Sequence, residues 1–82
     1  MNSLDIAKDI VKSCLQLGER ADKFDENTQL MGALPEFNSL TITTIVISIE
    51  SELDCTIEDY ELNAEMFETL GSLAAFIESK MD

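Results

Sequence analysis

Histidine and tryptophan are absent from these 82 residues, proline occurs once, glycine three times and cysteine twice. Without imidazole the chain has no ready general base near neutral pH and lacks the commonest metal-ligating side chain. Three scattered glycines leave no glycine-rich phosphate loop. Two cysteines, Cys14 and Cys55, make no disulfide framework, and reduced thiols in a cytosol fit them best. Basic residues are scarce too: five against seventeen acids gives a formal net charge of −12. Such a surface repels nucleic-acid phosphates and anionic membranes and attracts basic proteins or cations. No apolar run is long enough to cross a bilayer. The N-terminus has no basic segment followed by an apolar one, so no secretory signal is expected. The acids lack the alternation and central glycine of a calcium loop, and no metal site is expected. The absences point away from an enzyme. They fit one domain spanning residues 1–82, monomeric and cytoplasmic, that binds no nucleic acid and does not insert into a membrane.

Apolar residues recur at helical spacing in three places. Ala7, Ile10, Val11, Cys14 and Leu17 form a stripe that predicts a helix over residues 3–17, with Ser3 as its cap and Gly18 as its stop. Residues 19–38 read as a long connection punctuated by Gly32 and Pro35, with Leu30, Met31 and Leu34 as anchors. Residues 39–53 set two signals against each other. The β-branched run from Thr41 to Ile49 favours a strand by propensity. The positions of Ile42, Ile45, Val46, Ile49 and Leu53 follow a helical stripe, and the segment is longer than most strands. Periodicity decides for helix. Residues 54–61 read as acidic and irregular, with Ile57 turned inward, Tyr60 as a loop anchor and Cys55 exposed. Residues 63–67 suit one short helical turn. Thr69 caps a last helix to about Lys80, striped by Leu70, Leu73, Ala74 and Ile77. The expected fold is all-α: a small four-helix bundle of three main helices and a short third one.

Ser39 stands where the punctuated connection meets the second main helix. Between Phe24 and Ser79 there is no Lys, Arg or His. A serine with no base beside it is a poor nucleophile by itself and is better placed to be modified by another enzyme. The first helical turn carries unpaired N–H groups and positive partial charge, which favours a phosphodiester attached there. Asn38 and Ser39 are also ordinary capping residues, so their position alone leaves a purely structural role open. At about 100° per residue, Leu40 and Ile47 point away from the core stripe and share a face with Thr44 and Ser51. Glu50 and Asp54 flank it. This is a small docking surface, apolar in the middle and negative at one end.

Asn38-Ser39-Leu40 resembles the Asp-Ser-Leu signature of acyl carrier proteins. The apolar helix that follows is similar to that family in order and spacing, as are Glu50-Ser51-Glu52-Leu53-Asp54, Ile57, Glu58-Asp59 and Phe67-Glu68-Thr69-Leu70-Gly71-Ser72-Leu73. The resemblance runs over nearly the whole chain. It implies a four-helix bundle with a short third helix, and attachment of 4′-phosphopantetheine to Ser39 by a phosphopantetheinyl transferase that draws on coenzyme A. It further implies acyl groups held as thioesters and shown to acyl-transferring or acyl-activating enzymes with basic docking patches, in fatty-acid, polyketide or related metabolism. Asn38, Leu40, Ile47, Glu50, Glu52, Asp54, Glu58 and Asp59 would make the docking region. Val46, Ile49, Ile57, Leu62 and Phe76 would line a cavity for the acyl chain. Two features depart from the family pattern. Asn38 replaces its aspartate, and Thr41-Ile42-Thr43-Thr44 stands where housekeeping carriers have acids, which suggests a specialised carrier. The competing expectation is an acidic helical module that binds a basic protein without any serine modification.

Overall fold

The computed structural model describes residues 2–31 and 37–81. Three α-helices, α1 (Ser3–Leu15), α2 (Ser39–Leu53) and α3 (Leu70–Lys80), are joined by short 3-10 helices at Gly18–Lys23, Asp59–Glu61 and Ala64–Phe67. Among the described residues there is no strand, only an isolated antiparallel bridge between Gln29 and Thr69. The architecture is thus the all-α bundle the periodicity predicts, and its short third helix is the 3-10 turn at Ala64–Phe67.

Each α-helix begins on a side-chain cap. Asn2, not Ser3, caps α1: its Oδ1 accepts from the Asp5 N–H at 2.8 Å. α1 starts at Ser3 as its stripe predicts but stops earlier than the stripe suggests, at Leu15. Gln16 takes the left-handed conformation that closes it, with φ 54°, and Gly18 follows at φ +58°, where a side chain would be strained. Leu17 still reaches the core from outside the helix. The connection after it is not a plain loop, since Gly18–Lys23 winds into a 3-10 helix that buries Ala21. Lys8 donates to the Asp22 carbonyl at 3.2 Å and so holds this segment against α1.

The start of α3 is closed by backbone. The Leu70 N–H donates to the Thr28 carbonyl and the Gly71 N–H to the Glu26 carbonyl, both at 2.9 Å. The Ser72 N–H donates to Thr69 Oγ1 at 3.0 Å. These three bonds occupy N–H groups that a helix start otherwise leaves unpaired. They need close approach: a Cβ on Gly71 would stand 2.6 Å from the Glu26 carbonyl oxygen.

The helices share one core. α1 packs against both α2 and α3, and α3 against Ala64–Phe67. Val11, Ile45, Ile49, Leu70, Leu73 and Ile77 are fully buried, each worth about 1.5–3 kcal/mol of transfer free energy. Phe37 and Phe67 meet at 5.9 Å between ring centres, tilted by 55°, and tie the chain just before α2 to the turn before α3. Cys14 packs against this core, its Sγ 3.3 Å from Ser48 Oγ.

Three local expectations fail. Met31 is 39% exposed and Tyr60 87% exposed, so neither is an anchor. Cys55 is half-buried against the core instead of exposed in its loop. Leu30 is the anchor of its segment, fully buried. Gly32, Leu34 and Pro35 lie outside the described residues.

Candidate functional site

The site is built on the first turn of α2. Asn38 precedes the helix in an extended conformation and caps it. Its Oδ1 accepts from the Leu40 N–H at 3.0 Å, the Thr41 N–H at 3.1 Å and the Thr41 hydroxyl at 3.0 Å. Thr41 Oγ1 in turn accepts from the Asn38 N–H at 3.3 Å, completing a reciprocal box. Sequence reading found Asn38 but missed Thr41, whose place three residues after the cap was the available signal. Ser39 follows as the first helical residue and is exposed. Among the described residues nothing bonds to its hydroxyl. The cap therefore fixes the backbone on both sides of Ser39 and leaves its side chain open to a visitor. A phosphodiester there would meet the positive end of a 15-residue helix whose first turn holds no acid.

The outer face of α2 carries two large apolar side chains, Leu40 at 77% and Ile47 at 59% exposure. Thr43, Thr44 and Ser51 are exposed beside them. The hydroxyls of Thr43 and Thr44 turn back on the helix, donating to the Ser39 and Leu40 carbonyls at 3.1 Å each. This local bonding is how threonines stay inside a helix despite their propensity.

The acids predicted for docking divide. Glu52, Asp54, Glu58 and Asp59 are exposed. Asp54 closes α2 in the left-handed conformation at φ 51°. Glu50 is half-buried, and its Oε2 accepts from the Ile57 N–H at 2.8 Å. Glu50 braces the loop that brings Ile57 into the core, a bond to a backbone group that composition could not disclose.

The residues expected to line an acyl cavity all belong to the core or pack against it. Ile49 and Ile57 are buried, while Val46, Leu62 and Phe76 are partly buried against the same cluster. An open groove of about 360 Å³ lies elsewhere, between α1 and α2, lined by Ile6, Asp9, Ile10, Ser13, Ser48 and Glu52.

Sequence reading also missed an ion pair beside those residues. Lys80 at the end of α3 pairs with Glu61, each side chain only 21% exposed. Lys80 also sits 5.9 Å over the Phe76 ring. The hydrogen bond from Lys80 holds the Glu61 carboxyl below its ordinary value, helped by its backbone bond at Glu58. The same bond holds Lys80 above its own. Among the described residues no group of His, Cys, Asp or Glu could hold a metal ion, and no helix is long and apolar enough to cross a membrane.

No family model and no curated protein matches the chain. A solved structure does. The solution structure of a holo acyl carrier protein from Nitrosomonas europaea superposes with a TM-score of 0.89 at 36% identity, and the match covers 99% of this chain and 98% of that one.

Proposed function

Because the chain belongs to the acyl carrier protein family, we propose that it is a carrier whose 4′-phosphopantetheine arm is attached at Ser39 and whose cargo is an acyl group held as a thioester. The observation that carries this reading is the Ser39 hydroxyl: exposed, unbonded to any described residue, and seated at the first position of a capped helix. In the attachment step Ser39 Oγ forms a bond to the phosphorus of coenzyme A that bears the pantetheine. The bond to 3′,5′-adenosine diphosphate breaks, and that nucleotide leaves. The serine proton passes to a base of the transferase, since this chain has no histidine to accept it. The bound arm supplies a thiol that takes up and releases acyl groups. The chain's own residues present it: Asn38 fixes the turn, and Leu40 and Ile47 offer the contact. Glu52, Asp54, Glu58 and Asp59 steer basic partners. Val46, Ile49, Ile57, Leu62 and Phe76 are the apolar groups toward which an acyl chain would fold. The cytoplasm, where coenzyme A and reducing conditions coexist, suits this role.

Incubation with coenzyme A and a broad-specificity phosphopantetheinyl transferase should raise the intact mass by one arm. Ser39→Ala should abolish the gain. A wild-type mass unchanged by several competent transferases would sink the carrier reading and favour an acidic module that binds a basic protein without modification.

A further inference from the structure

The docking face is divided along its length in a way that constrains its partners. From Ser39 to Ile49 the helix bears no charged side chain. Its first acid, Glu50, is committed to the Ile57 N–H. The first exposed acid of α2 is therefore Glu52, about 20 Å along the axis from Ser39 at the α-helical rise. Asp54 follows it at the C-cap, and Glu58 and Asp59 are exposed in the segment after the helix. Nearer to Ser39, the donor hydrogens of Thr41, Thr43 and Thr44 are all spent on Asn38 Oδ1 and the Ser39 and Leu40 carbonyls. The surface between Leu40 and Ile47 thus offers a partner apolar contact, with neither charge nor free hydroxyl donor.

We infer that enzymes reading this carrier are built in two separated zones: an apolar rim around the channel that receives Ser39 or its arm, and a basic cluster about 20 Å away that meets Glu52 and Asp54. The occupant is a protein, fitted to this face by charge complementarity at one end and by apolar matching at the other. The inference rests on the carrier reading and adds the partner's layout to it. Ionic attraction acts at a distance and sets the encounter rate, whereas the desolvated apolar contact sets how long the complex lasts. The two contributions should therefore separate by salt.

The test measures kcat/KM for arm attachment by a broad-specificity phosphopantetheinyl transferase from 20 mM to 500 mM NaCl. The double variant Glu52→Gln, Asp54→Asn should lower the rate at low salt and flatten its salt dependence; asparagine tolerates the left-handed position of Asp54. Ile47→Ala should lower kcat/KM about tenfold at every salt concentration and leave the salt slope unchanged. Thr44→Glu should also lower it, by setting a carboxylate against the apolar rim. Circular dichroism of each variant checks that the helices persist. A faster Thr44→Glu variant would place basic groups at the channel mouth and overturn the two-zone layout. So would an unaltered salt slope in the acid double variant. If wild type gains no arm at all, the carrier reading fails instead, and the layout falls with it.

Discussion

Asn38 shows how a single side chain can hold the proposed attachment residue without touching it. Its amide oxygen takes two helix-start N–H groups and the Thr41 hydroxyl, so the turn carrying Ser39 is fixed whether or not Ser39 is modified. Removing such a cap costs about 1 kcal/mol, with a range of roughly 0.5–2. In a domain of this size that is about 4–8 °C of melting temperature. Asn38→Ala should lower the midpoint of thermal unfolding by that amount, followed by circular dichroism at 222 nm. Asn38→Asp should keep it, because a carboxylate accepts the same bonds and suits the helix dipole. An unchanged midpoint in Asn38→Ala would show that the remaining bonds of the first turn suffice without the cap. Asn38 was legible as a cap from residue type and position, and so was the place of Ser39 at the helix start, whereas the attachment role proposed for Ser39 came from the resemblance. Glu50 was not legible: its charge suggested docking, and only the backbone path of the following loop reveals the Ile57 N–H it must satisfy.

Period and propensity compete most openly in α2, and period prevails. Ile45 and Ile49 are fully buried on one side while Leu40 and Ile47 stand exposed on the other, a division that only a helix of 3.6 residues per turn produces. The β-branched threonines adapt by bonding to carbonyls one turn back. The bounds of α2 and α3 were readable because Asn38 and Thr69 are strong caps. The end of α1 was not, because Gln16 rather than glycine takes the left-handed position. At the start of α3 a different contest arises. Alanine is a better helix former than glycine by about 0.8–1 kcal/mol, so Gly71→Ala would stabilise an isolated helix. Here the added Cβ would lie 2.6 Å from the Glu26 carbonyl oxygen, which accepts the Gly71 N–H. Backbone on both sides leaves nothing flexible to give way. Gly71→Ala should therefore lower the midpoint of urea unfolding; a rise would show that the 26–31 segment yields without loss.

Charge acts on the molecule as a whole, and its sign can be worked out against the local ion pairs. The Lys80–Glu61 pair stabilises the fold at neutral pH. Its contribution is lost as pH falls through the Glu61 value, which lies below the ordinary carboxylate range, and again as pH rises through the Lys80 value, which lies above the ordinary lysine range. Lys12 and Asp22 add a more exposed pair at 3.7 Å, of the kind that contributes little. Neither contact was legible in the sequence, since each joins elements that only the fold brings together. Opposing them is a net charge of −12 on a body measuring 29 × 26 × 19 Å. In 10 mM salt the screening length is about 30 Å, so every acid feels every other; in 1 M salt it is about 3 Å, and only groups in contact still interact. Raising the salt should therefore remove most of the self-repulsion while leaving the half-buried Lys80–Glu61 contact largely intact. The thermal midpoint at pH 7 should rise by several degrees between 10 mM and 1 M NaCl, because one well-made pair does not offset a dozen uncompensated charges. A fall over the same range would mean that attraction between paired groups outweighs the repulsion of the rest. The acids at the end of α2 would then belong to the fold's own electrostatic support rather than to a surface kept free for partners.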